Sequence, residues 1–101
     1  MCTGYFDGSV TSELVEYYRE RAGSIGTVIV ECGFVDDRGL AFPGAIGIDH
    51  DNKIEGLAKI AEAIQARGSK AVLQIYHGGR MVEPELIGGR TPVGPSAIAA
   101  P

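Results

Sequence analysis

The chain has 101 residues, of which 45% are hydrophobic and 22% are charged, and its formal net charge is −4. This profile is typical of one globular domain at most, and the lack of a basic stripe argues against nucleic acid as a partner. The apolar runs are too short for a membrane span, and the first residues lack the pattern of a secretory signal. Two cysteines make no disulfide framework, so a cytoplasmic protein with reduced thiols is predicted.

The first predicted element is a helix that begins after Thr11 and runs to about Ala22. Thr11 is a favourable N-cap residue, because its side-chain oxygen can accept a hydrogen bond from a free backbone N–H group of the first turn. One apolar face is predicted for this helix, made of Leu14, Tyr18 and Ala22. Glycines then end the helix.

Residues 27–31 (TVIVE) are predicted to form a strand. Their apolar side chains do not alternate, which is typical of a parallel strand covered on both faces. A long loop at 32–50 follows, then a second amphipathic helix over about 51–67, and then a second strand at 71–76 (AVLQIY) of the same unalternating kind.

The strand–helix–strand segment predicts one right-handed βαβ unit, and therefore an α/β fold. Two parallel strands do not complete a sheet, because both outer edges keep unpaired backbone groups. We therefore expect that the chain is cut at both ends, and that it either forms an oligomer or needs further strand–helix units.

One stretch of the chain bears on metal binding, and two histidines bear on catalysis. The stretch 49–56 resembles a calcium loop, but Lys53 and Ile54 stand where such a loop needs an oxygen ligand and then a glycine, so no metal site is predicted. His50 is expected at the surface. His77 follows a parallel strand, where α/β folds place ligands, but a structural role remains the alternative.

Four further polar or reactive side chains leave alternatives open. Gln74 lies in a predicted buried strand, so its amide must bind either a backbone group or a polar ligand. Cys2 and Cys32 are either inert small residues or thiols at a site, and Cys32 directly follows a strand. Arg80 holds either an anion or a salt-bridge partner.

Several segments along the chain resemble the Old Yellow Enzyme family of NADH:flavin oxidoreductases. The matching stretches are MCT, IGTVIVE, FPGAIGID, LQIYHGGRM and VGPSAIAAP. The resemblance implies a (β/α)8 TIM barrel with FMN at the carboxyl ends of its strands. A barrel of this kind needs about 250 residues. The chain is thus expected to be a partial barrel, from the end of strand one to the loop after strand three, with residues 1–101 as the N-terminal portion of an FMN-binding domain.

The resemblance also implies which residues contact FMN. Gln74 matches a glutamine whose amide binds the pyrimidine side of the flavin ring. Met1 and Cys2 match the end of strand one, beside the flavin. Cys32 matches a small residue, commonly alanine or glycine, that packs against the ring. No metal and no catalytic residue is assigned within the chain.

The implied reaction passes hydride from NADH or NADPH to FMN and then to an activated alkene, such as an α,β-unsaturated carbonyl compound. His77 and Arg80 match the turn after strand three and are interpreted as supports of the site. Tyr5 resembles a substrate-pocket tyrosine, with a spacing that differs by one residue. The alternatives are a flavin-free structural or interaction fragment and a non-flavin enzyme on another α/β barrel.

Overall fold

The computed structural model describes residues 2–101. It contains a parallel sheet of three strands with two helices packed against one of its faces. The elements are α1 (Ser12–Arg21), β1 (Thr27–Phe34), β2 (Ile46–Gly47), α2 (Ile54–Gln65) and β3 (Lys70–Tyr76). The strand order is β2-β1-β3, and both pairings are parallel. The predicted βαβ unit is confirmed as β1–α2–β3.

The start of α1 follows the prediction. The hydroxyl oxygen of Thr11 accepts a hydrogen bond from the Leu14 N–H at 3.1 Å, which satisfies one of the free donors of the first turn. The predicted apolar face is confirmed, because Leu14, Tyr18 and Ala22 are all buried. This face packs on α2 and on the sheet.

The first strand is longer than predicted and is joined by a short strand that the sequence did not reveal. β1 continues to Phe34, and Ile46–Gly47 inside the expected loop pairs with its last two residues. Two residues are too few to show a hydrophobic period in the sequence, although Ile46 is fully buried in the core. The loop between β1 and α2 is therefore tied into the sheet.

The expectation that the strands are covered on both faces is wrong for this chain. Val28 and Val30 are buried against the helices, whereas Ile29 is 66% exposed and Val72 is 46% exposed on the opposite face. Side chains alternate between the faces of a strand, and nothing within residues 2–101 covers the second face. Gln74 lies on that uncovered face and is exposed, so its predicted burial is also wrong.

The apolar stripe of α2 lies partly in the core and partly along an open groove. Ile60 and Ile64 are buried in the core. The outer part of the stripe, together with β3, lines an open apolar groove of about 360 Å³, whose walls include Ile54, Leu57, Ala61, Ala71 and Leu73. Within residues 2–101, none of the helices has both the length and the apolar character needed to cross a membrane.

Candidate functional site

The carboxyl ends of β1 and β3 form the edge at which the predicted site residues lie. The two strands are in register up to Val30 and Leu73, and again at Gly33 and Ile75, so β1 carries one extra residue between these pairs. This irregularity is a β-bulge, which redirects side chains and is frequent beside active sites. It places the half-buried Cys32 near the carboxyl-terminal end of the central strand.

Glu31 lies in the same bulge and was not singled out from the sequence. The Tyr18 hydroxyl accepts a hydrogen bond from the Glu31 N–H at 2.7 Å and lies 3.5 Å from the carboxylate. The second carboxylate oxygen, Oε1, is buried and has no hydrogen-bond partner within residues 2–101. Burial raises the pKa of Glu31, and burial also raises the pKa of Tyr18 to about 12. A carboxylate at the end of an apolar strand was the signal available in the sequence.

Cys2 is held next to this bulge by the residues that follow it. The Gly4 N–H donates to the Gly44 carbonyl at 2.7 Å, and the Thr11 hydroxyl donates to the Thr3 carbonyl at 3.2 Å. Burial raises the pKa of the Cys2 thiol, and the nearby Glu31 and Cys32 act in the same direction. Cys2 and Cys32 therefore share one end of the sheet.

Gln74 and Tyr76 approach the same edge from β3. The exposed Gln74 amide lies on the uncovered face, two residues before Tyr76. The Tyr76 hydroxyl accepts a hydrogen bond from the Ala41 N–H at 3.1 Å, and its ring lies 6.2 Å from that of Phe42. Burial raises the pKa of Tyr76, with smaller contributions in the same direction from both cysteines. Because the Gln74 amide is exposed, water can satisfy it, and burial no longer requires a partner for it.

His77 and Arg80 make local contacts in the turn after β3. The Nδ1 atom of His77 accepts a hydrogen bond from the Gly79 N–H at 2.9 Å, and its ring packs so closely on Gly39 that an added Cβ there would lie 2.6 Å from Cδ2. Arg80 donates to the Ala99 carbonyl at 3.2 Å. These contacts agree with a supporting role for both side chains.

The donor set at this edge fits a flat ring that has one polar side. An exposed primary amide offers both a donor and an acceptor, and the two cysteines, Cys2 and Cys32, have small side chains. Met1, the fourth residue assigned to FMN, lies outside the described residues. Among residues 2–101, no cluster of three or more His, Cys, Asp and Glu side chains could hold a metal ion.

Comparison with known proteins gives one consistent result. The family model described as "NADH:flavin oxidoreductase / NADH oxidase family" matches residues 1–101. NADH:fumarate oxidoreductase of Klebsiella pneumoniae is 84% identical over 99% of the chain, and NADH:acrylate oxidoreductase of Vibrio harveyi is 56% identical over 97% of it. The chain covers 11% and 10% of these two proteins, about a tenth of their length.

Solved structures give the same picture for the fold. The old yellow enzyme homologue of Zymomonas mobilis superposes with a TM-score of 0.88 at 36% identity, over 97% of this chain and 27% of that one. Morphinone reductase in complex with tetrahydroNAD superposes with a TM-score of 0.83 at 30% identity, over 96% of this chain and 26% of that one. The three-stranded sheet is part of a (β/α)8 barrel, as predicted. The chain belongs to the NADH:flavin oxidoreductase / NADH oxidase family, the Old Yellow Enzyme family.

Proposed function

We propose that the protein containing this chain uses FMN to carry reducing equivalents from NADH to an alkene conjugated to a carboxylate. The observation that carries the proposal is the exposed Gln74 amide, which lies on β3 level with the β1 bulge that contains Cys32. An amide at this place binds the polar edge of a flavin, while the small cysteine side chains leave space for the ring. Bound FMN would supply the two-electron carrier between nicotinamide and alkene.

The substrate class comes from the relatives. The two most similar proteins described above are named for fumarate and for acrylate. Both compounds have a carbon–carbon double bond conjugated to a carboxylate, and this conjugation activates the β-carbon toward hydride. The same class, within the predicted α,β-unsaturated carbonyl compounds, is proposed for this protein, with NADH as the reductant.

Binding of FMN through Gln74 is tested in the complete protein with Gln74→Leu. This variant removes the donor and the acceptor but keeps the volume, so the affinity for FMN should fall about five- to tenfold, as expected for the loss of one or two hydrogen bonds. Gln65→Leu, at the exposed end of α2, is the matched control and should bind FMN as wild type does. Equal affinity in the Gln74→Leu variant would contradict the assignment, and a wild-type protein that purifies without flavin would favour the structural-fragment alternative.

The reaction is tested by following NADH oxidation with fumarate or acrylate as acceptor. The saturated acids succinate and propionate are matched controls, since they carry the carboxylate but no double bond. NADH consumption is expected with the unsaturated acids alone. If NADH is consumed with an artificial electron acceptor but not with fumarate or acrylate, the proposed substrate class is contradicted. The proposed transfer from NADH to flavin would still stand.

A second candidate concerns where the alkene is reduced. The same segment is about a tenth of the two carboxylate-named relatives but about a quarter of the Zymomonas chain, so those relatives are much longer than one barrel of this family. In this second candidate the barrel oxidises NADH and another part of the polypeptide reduces the alkene. An isolated complete barrel that reduces an artificial acceptor with NADH, but not fumarate or acrylate, would favour this second candidate.

A further inference from the structure

The turn formed by residues 39–45, hereafter the 39–45 turn, connects the two sides of the candidate site. At its start, the Gly39 carbonyl accepts a hydrogen bond from the Gly78 N–H at 2.9 Å, just beyond β3. At its end, the Gly44 carbonyl accepts from the Gly4 N–H at 2.7 Å, next to Cys2. The turn therefore bridges the segment that carries Cys2 and the strand that carries Gln74.

Between these two backbone contacts the turn is held by a side chain. The Ala41 N–H donates to the Tyr76 hydroxyl at 3.1 Å, and this is the contact that a conservative substitution can remove. The next residue, Phe42, is 52% exposed, and its ring centroid lies 6.2 Å from that of Tyr76. An aromatic ring is thus kept at the surface beside the edge where the site residues lie.

We propose that Tyr76 is a positioning residue, whose hydroxyl holds the 39–45 turn so that Phe42 forms a wall for the nicotinamide ring of NADH. The identity of the ligand rests on the proposed function, whereas the hydrogen bond to the turn does not. An exposed phenylalanine offers a flat apolar surface against which a planar ring can pack. A turn that is already ordered before binding also reduces the entropy lost on association.

The 39–45 turn also makes close contacts that do not involve the Tyr76 hydroxyl. A Cβ added to Gly78 would lie 2.6 Å from the Ala41 Cβ, and a Cβ added to Gly39 would lie 2.6 Å from the ring of His77. The turn and the residues after β3 are therefore in direct backbone contact. Tyr76→Phe, which retains the ring, is expected to fold and to affect mainly the order of the turn.

The test compares Tyr76→Phe with wild type in the complete, FMN-containing protein. Exchange of the Ala41 amide hydrogen should become at least about fivefold faster, because one hydrogen bond is lost. The KM for NADH should rise by about fivefold, while kcat and FMN content stay within about twofold of wild type. Tyr17→Phe is the matched control, since Tyr17 lies on α1 with its ring beneath Arg21, and should change none of these quantities.

Phe42→Ala tests the contribution of the Phe42 ring independently of the Tyr76 hydroxyl. It should raise the KM for NADH as Tyr76→Phe does, with exchange of the Ala41 amide within about twofold of wild type. Unchanged exchange in Tyr76→Phe, or an unchanged KM in either variant, would overturn the proposal. If wild type oxidises no NADH, the proposed function and the wall both fail, and exchange of the Ala41 amide still decides whether Tyr76 holds the turn.

Discussion

The two faces of the sheet have similar apolar side chains but opposite environments. On the face covered by α1 and α2, Val28 and Val30 are buried, and Ile64 of α2 is 0% exposed. On the other face, Ile29 is 66% and Val72 is 46% exposed although they are just as apolar. In the relatives this sheet is part of a closed barrel, so the face left uncovered here is one that a barrel would cover. Apolar composition alone therefore did not show which side chains are buried in this chain.

The largest expected effect concerns the uncovered face. Exposed, contiguous apolar side chains favour association, so the isolated chain should sediment as oligomers or aggregates. The double variant Ile29→Lys/Val72→Lys should shift it toward monomer. The control Asn52→Lys/Gln65→Lys adds the same charge at exposed polar positions outside the sheet and should leave association unchanged. A stable monomeric wild type in sedimentation velocity would refute the prediction.

The covered face should respond to a cavity. Ile64→Ala in the complete protein removes a fully buried side chain from the contact between α2 and the sheet. The free energy of unfolding should fall by about 3 kcal/mol, as is usual for large-to-small changes in a core. Urea denaturation measures the loss, and Ile64→Val serves as a smaller step that should cost about 1 kcal/mol. If Ile64→Ala lost no more stability than Ile64→Val, the neighbouring side chains would have moved to fill the cavity.

The smallest expected effect is the pH dependence contributed by Glu31. Burial raises the pKa of Glu31 above its ordinary value of 4.5, so the folded state binds this proton more tightly than the unfolded state does. The contribution of Glu31 to stability is therefore present at pH values below 4.5 and is lost as pH rises through the raised pKa. Relative to Glu31→Gln, wild type should lose stability as the pH rises above 4.5.

This effect is measured by urea denaturation of the complete protein at several pH values. Glu85→Gln is the control, because Glu85 is exposed in the short 3₁₀ helix Pro84–Ile87. The difference in stability between this control and wild type should change less with pH than the difference for Glu31→Gln. A pH-independent difference for Glu31→Gln would mean that the buried carboxylate titrates normally.

Local signals predicted the regular elements well and the site less completely. Thr11 predicted the start of α1, because capping depends on neighbouring backbone groups alone. Cys32 lies within β1 and not directly after it as predicted, because the strand continues to Phe34. The pairing of Ile46–Gly47 with β1 was missed, because two residues have no period. The roles of Glu31 and Tyr76 were missed, because their partners lie on other elements and depend on the bulge and the 39–45 turn.

The sequence by itself determined the βαβ unit, the family and the residue types at the candidate site, since these depend on local periodicity and on matching segments. The tertiary structure decided which face each strand buries. It placed Gln74 at the surface rather than in a core, because the two helices cover only one side of the sheet. It also brought Cys2, Cys32 and Tyr76 to one edge, because the carboxyl ends of parallel strands meet there and the bulge in β1 redirects the last residues of that strand.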